Sequence, residues 1–149
     1  MGGMSADDAA ANDPAVIRRL LTTPATWAVV GLSQARQRTA YGVAQWLQGS
    51  LGMRTIPVHP SAEEVFGERG YASLAEVPDG EQVRVVDCFV NSHRVGAVVD
   101  DAIEQRGRLG TEAVWLQLGV VDESAATRAR QSGLDVVMDT CPLIEWPRL

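Results

Sequence analysis

Gly31-Leu32-Ser33 leaves the apolar run Trp27-Ala28-Val29-Val30, and a short polar stretch then leads to Arg38 and Thr39. Such a turn can cradle a phosphate. Glycine allows a tight exit and a close backbone approach. A helix that starts just beyond it points free N–H groups and its positive dipole end at an anion above. The Ser33 hydroxyl can donate to a phosphate oxygen. Arg38 stands at the start of that helix, where a cation opposes the dipole. A bound polyanion accounts for this placement; so does plain solvation of the side chain.

The turn is not a complete dinucleotide fingerprint. Counted from Gly31, Ser33 and Arg36 stand where the second and third glycines of G-x-G-x-x-G belong. NAD-binding domains also place Asp or Glu at the end of the second strand, ~20 residues after the glycines. Here that stretch is Ile56-Pro57-Val58-His59-Pro60, without a carboxylate. His59 better suits a phosphorylated ribose, which NADP and coenzyme A both carry.

Other reactive residue types are sparse. Cys88 lies inside an apolar strand and reads as packing. His93, near a helix start, can donate to a phosphate or simply face solvent. Asp87 sits in an apolar strand, where a lone carboxylate is costly unless hydrogen-bonded. It can hold a neighbouring loop in place. Asp100, Asp101 and Glu104 read as a solvated helix face, and Trp27, Trp46, Trp115 and Trp146 as core or lid packing. No Ser or Cys has a His–Asp partner at a recognisable spacing, so no catalytic residue is assigned. Two cysteines and two histidines are too few for a disulfide scaffold or a structural metal site.

The elements that must position these residues follow from pattern. Asp13-Pro14 caps and opens a helix through Leu21. Trp27–Gly31 is a strand buried on both faces. Thr39–Leu51 is a helix with Ala40, Val43, Ala44, Leu47 and Leu51 on one face. Met53–Val58 is the second strand, Gly70-Tyr71-Ala72 a minimal edge strand, and Ser73–Val77 a one-turn helix. Val83–Val90 is a stronger strand. Asn91-Ser92 then caps a helix carrying the stripe Val95, Val98, Val99, Ala102 and Ile103. Strand Ala113–Leu118, helix Asp122–Gln131, strand Leu134–Met138 and a tail over Cys141–Leu149 complete the chain. Strands alternating with helices predict a parallel sheet with helices on both faces, in one domain over 13–149. Ligands in such sheets sit at the carboxyl ends of the strands, where the winding reverses. That edge holds Gly31–Arg38, His59-Pro60, Asn91–Arg94, Gln117–Val120 and Asp139–Pro142.

Composition narrows the function classes. The chain has 149 residues, enough for one continuous core. Net charge is −6, and all 13 basic residues are arginines without a basic cluster, a poor footprint for nucleic acid. No apolar run approaches the ~20 residues of a membrane span. Residues 1–12 read as a disordered lead-in without the character of a secretory signal, so a cytoplasmic location with reduced thiols is expected.

These pieces together resemble the small stand-alone CoA-binding domain proteins, related to the N-terminal CoA-binding domain of succinyl-CoA synthetase and of NDP-forming acyl-CoA synthetases. The matching segments are Ala28-Val29-Val30-Gly31-Leu32-Ser33, Arg38, Ile56-Pro57-Val58-His59-Pro60, and Val65-Phe66-Gly67 with Tyr71. Val114-Trp115-Leu116-Gln117-Leu118-Gly119-Val120 and Val137-Met138-Asp139-Thr140-Cys141-Pro142 follow in order. Relatives carry Asn, Ser and Arg where this chain has His59, Ala40 and Thr140.

The resemblance implies a Rossmann-like α/β/α fold of sheet order 3-2-1-4-5-6, with the Tyr71 segment as third strand. It implies coenzyme A (or acyl-CoA) across the strand ends, its pyrophosphate near Gly31, Leu32 and Ser33, with Arg38 and Thr39 beside it. The adenine side would meet Val58, His59 and Pro60, and Phe89, Val90 and Arg94 would close the crevice from the far side. Cys141 could face the pantetheine end, where a mixed disulfide is chemically open; a small buried hydrophobe before Pro142 is the competing reading. Catalytic relatives add a phosphohistidine domain and an ATP-grasp domain, for which this chain has no room. A carrier, sensor or regulatory role is therefore expected, acting alone, as a homodimer or with acyl-CoA ligase subunits. An NADP-binding oxidoreductase fragment and an interaction subunit of a split acyl-CoA ligase are the competing functions.

Overall fold

The computed structural model describes residues 12–149. The expected lead-in lies outside that range except for Asn12, whose side chain donates to Met138 O at 2.9 Å and accepts from Met138 N at 2.8 Å. Helix α1 is Pro14–Thr22, opened by Asp13, whose carboxylate accepts from Ala15 N as its position predicts. Strand β1 (Thr26–Val30), helix α2 (Thr39–Leu51) and strand β2 (Arg54–Val58) follow. After a 3-10 turn at Leu74–Glu76 come β3 (Val85–Cys88), α3 (Val95–Leu109), β4 (Ala113–Leu116), α4 (Glu123–Gln131) and β5 (Asp135–Met138). The expected tail instead forms a short helix, α5 (Pro142–Glu145), and a 3-10 turn at Trp146–Arg148. Pro142 sits at its first position, and Cys141 O accepts from Ile144 N and Glu145 N.

The sheet has five strands, all parallel, in the order β2-β1-β3-β4-β5. The six-strand order 3-2-1-4-5-6 is therefore corrected. Tyr71 makes only a single parallel bridge, to Val58. Its N–H donates to Pro57 O and its carbonyl accepts from His59 N, both at 3.0 Å. The next rung down needs an N–H from residue 57, and proline has none. The expected third strand ends after one pairing.

Successive residues of each strand feed opposite cores. Trp27, Val29, Val85, Trp115 and Val137 pack with Leu20 and Leu21 of α1 and Val43, Ala44 and Leu47 of α2. Ala28, Ile56, Val86, Val114 and Val136 pack with Val99 of α3 and Ala126 of α4. Both faces are covered, which is why the strands read as unbroken apolar runs. Because α2 and α3 lie on opposite faces, the winding reverses between β1 and β3. The ligand rule for such sheets points to the carboxyl ends of those two strands.

Trp27 and Trp115 stack in the first core with centroids 5.6 Å apart. The Trp115 indole N–H donates to Thr140 O at 2.9 Å and anchors the exit of β5. Asp87 is the polar exception in this core. It is fully buried in register between Val29 and Trp115. Gln117 Nε2 donates to its Oδ1 at 2.5 Å, while Oδ2 has no partner among the described residues. Burial pushes the carboxyl up to about 8, the Gln117 bond drawing it partly back.

Trp115→Phe removes the anchor and leaves a buried carbonyl unpaired, so it is expected to lower unfolding stability by ~1–3 kcal/mol in urea titrations. For Asp87, the folded protein holds its proton more tightly than the unfolded chain does. Stability is then complete below the ordinary carboxylate range and falls as pH rises toward about 8. Urea midpoints measured between pH 5 and 8 should fall, and Asp87→Asn should flatten that slope; an unchanged slope would show that another group carries it.

Candidate functional site

The turn after β1 is shaped by close backbone contact. Gly31 has φ +104, and a Cβ there would lie 2.6 Å from Phe89 O and 3.1 Å from Phe89 Cβ. Only glycine lets the exits of β1 and β3 press together in this way. Gly31 N donates to Val58 O and Phe89 N to Val30 O, each at 2.8 Å. Three strand ends are thereby fixed to one another at the point where the winding reverses.

The residues expected at the site divide by what they expose. Leu32 and Val58 are buried, so they offer the site their backbone only. Ser33 Oγ accepts from Ala35 N at 3.2 Å, which leaves its O–H proton free to donate. Arg38, Thr39, Pro60 and Arg94 are exposed, while His59, Phe89 and Val90 are half-buried. Arg38 caps α2 without a side-chain hydrogen bond. The strand Val83–Val90 is shorter than expected, and Phe89 and Val90 leave the sheet beyond Cys88. Asn91 Oδ1 then accepts from His93 N and Arg94 N at 3.0 Å each, turning the chain into α3.

Arg19, Arg54, Arg84, Arg108, Arg128 and Arg148 are each ion-paired. Arg36, Arg38 and Arg94, around the strand exits, have no carboxylate partner among the described residues, and neither do Arg18, Arg69, Arg106 and Arg130 elsewhere. Arg36 instead lies over the Tyr41 ring, 6.0 Å from its centroid. Beside it a cavity of about 230 Å³ is lined by Gln34, Tyr41, Glu64, Val65 and Phe66.

No element is expected over 61–69, yet side-chain hydrogen bonds organise its start. Ser61 N donates to His59 Nδ1 at 3.0 Å, so Nδ1 is the accepting nitrogen and Nε2 carries the proton of the neutral ring. Ser61 Oγ lies 2.8 Å from that nitrogen and 3.2 Å from Glu63 Oε1. Glu63 Oε1 also accepts from Gln34 N at 3.2 Å, and Gln34 Nε2 donates to Glu64 O at 2.7 Å. The corner after β2 thus holds the turn after β1. No periodicity or motif in Ser61-Ala62-Glu63-Glu64 announces the tie to Gln34, because both of its bonds join a side chain to backbone about 30 residues away.

Farther along the edge, Ser92 Oγ donates to Gly119 O and accepts from Val121 N, and Gly119 N donates to Asp139 Oδ1. Cys141 is buried at 8% exposure. Burial pushes its thiol up, backbone donation from Leu143 and Ile144 opposes this, and the nearby Asp87 adds to the rise. That favours the packing reading of Cys141, since the thiolate is the reactive form. No cluster of three or more metal-ligating side chains occurs among the described residues. Nor is any described helix long and apolar enough to cross a membrane.

Comparisons with known proteins bear on the family and the fold. A Bacillus subtilis (strain 168) protein, YneT, is 32% identical over 127 residues, 85% of this chain and 89% of its own. The structure of a hypothetical protein from Pyrococcus horikoshii OT3 superposes with a TM-score of 0.80 at 33% identity, covering 92% of each chain. A dinucleotide-forming acetyl-coenzyme A synthetase from Ca. Korarchaeum cryptofilum shares the fold, with a TM-score of 0.68 at 24% identity. That match covers 83% of this chain and 27% of the synthetase. The family model described as "CoA binding domain" matches residues 25–147, from the start of β1 to the last turn of the chain, and the protein belongs to that family.

Proposed function

We propose that this protein binds coenzyme A or an acyl-CoA at the β1–β3 switch point and acts as a carrier, sensor or regulatory protein. The diphosphate lies over Gly31, Leu32 and Ser33, against the start of α2, with Arg38 and Thr39 beside it. The adenosine side meets Val58, His59 and Pro60, where the His59 Nε2–H is available as a donor. Phe89, Val90 and Arg94 border the crevice from β3. The observation that carries this reading is the Gly31–Phe89 contact with unpaired arginines around it. A glycine-tightened strand exit at the point where the winding reverses, bordered by arginines without carboxylate partners, suits a polyphosphate. Overall charge does not supply the attraction, because the chain is at −6. The local arginines must do so.

Calorimetric titration of the protein with CoA, dephospho-CoA, NADH and NADPH tests this directly. CoA should bind with a micromolar Kd and dephospho-CoA more weakly. Arg38→Ala should weaken CoA by roughly 10- to 100-fold, the loss of one charge-assisted hydrogen bond. If Arg38 meets the 3′-phosphate, the same exchange should leave dephospho-CoA nearly unaffected. Tight NADPH binding without a CoA response would replace this reading with the oxidoreductase one. Silence toward all four would favour an interaction subunit of a split acyl-CoA ligase.

A further inference from the structure

Exposed aliphatic surface is confined to one part of the molecule. Leu118 is 63% exposed, Val121 41% and Leu143 42%. The other large hydrophobic residues exposed among those described, Trp146 and Leu149, also follow β5. Leu118 stands at the tip of a tight turn in which Val120 N donates to Gln117 O at 2.8 Å and Gly119 has φ +82. This is the arrangement of a type II turn, with leucine at its first corner and glycine at the second. The turn is held from both sides. Gly119 N donates to Asp139 at 2.8 Å, and Val121 N donates to Ser92 at 3.0 Å. A scattered surface leucine needs no explanation. A leucine fixed at a turn tip, with further aliphatics one loop away, does.

Resting on the coenzyme A reading above, we infer that Leu118, Val121 and Leu143 form a subsite for the acyl chain of a CoA thioester. Neighbouring strands lie ~4.8 Å apart. With the diphosphate at β1 and the adenosine toward β2, the pantetheine arm crosses β3 and reaches β4 after ~10 Å, the span of about three extended amide units. The sulfur end then reaches the turn that carries Leu118, and an acyl chain continues over Val121 or toward Leu143. The size of the patch favours this occupant over a protein. Even with Trp146 and Leu149 added, the exposed apolar surface is on the order of 400 Å², below the roughly 450–500 Å² of apolar area in the ~800 Å² that each partner gives to a stable interface.

The probes are CoA, acetyl-CoA, butyryl-CoA and octanoyl-CoA, each kept below its micelle concentration and titrated into the full chain and into Leu118→Ser. Wild-type affinity should rise roughly tenfold from butyryl to octanoyl, the effect of half-burying about four methylenes. Leu118→Ser should flatten that rise while leaving free CoA within about twofold, as expected for an exposed turn position. A flat series with CoA still bound, or a rise that survives Leu118→Ser, overturns the acyl subsite and leaves the CoA reading intact. A wild-type protein that binds no member of the series overturns both. Sedimentation of the ligand-free protein closes the remaining alternative. A dimer dissolved by Leu118→Ser assigns the patch to a second copy and likewise overturns the inference.

Discussion

The contact between Gly31 and Phe89 is the constraint on which the rest of this architecture depends. A single added carbon at Gly31 would meet the Phe89 carbonyl at 2.6 Å, so the first and third strands can leave the sheet side by side only with glycine there. The chain must then rise over the neighbouring exit before α2 can begin. This delay carries Ser33 and Arg38 to the same end of the sheet as His59 and Arg94. The steric requirement also ties the turn into its surroundings: Gly31 N donates to Val58 O and Gln34 N to Glu63, so the loop before α2 is held in place by its own backbone.

Two lattices of side chains hold that end of the sheet, and they differ in kind. On the β2 side, His59, Ser61, Glu63 and Gln34 are linked at the surface, where water competes for every bond. On the β4 side, Asp87 and Gln117 meet in the core, where nothing competes. A buried acid that keeps its proton can be carried without a counter-ion. The corner after β2 is thus free to adjust, whereas the β3–β4 exits are fixed from beneath.

Much of this was legible in the sequence, and the limits have identifiable causes. Uninterrupted strands such as Ala113–Leu116, together with amphipathic helices, announced a two-faced parallel sheet. Asp13 and Pro14 announced their cap through local chemistry alone, whereas Asn91 forms the turn that leads into a helix capped at Arg94. The Tyr71 segment was misjudged because its pairing depends on which way the amide of Pro57 would point, a property of the partner strand. The Glu63–Gln34 tie was invisible for a similar reason: it joins residues 29 apart through one backbone N–H. At the candidate site the residue types were readable. Which of them turn inward was not, and Leu32 and Val58 proved to have core side chains.

The single Tyr71 rung and the Asn12 clasp share a consequence. An open parallel sheet ends in two rims of unpaired peptide groups, each a template on which another chain can extend it. Here Tyr71 occupies positions on the β2 rim, and the Asn12 carboxamide imitates a peptide unit against Met138 on the β5 rim. Among the described residues neither rim is closed by a further strand; each is blunted by one residue. This favours a sheet that stays at its own width over one that recruits neighbours into fibrils, and it makes Asn12 a guard against aggregation as well as a fastening.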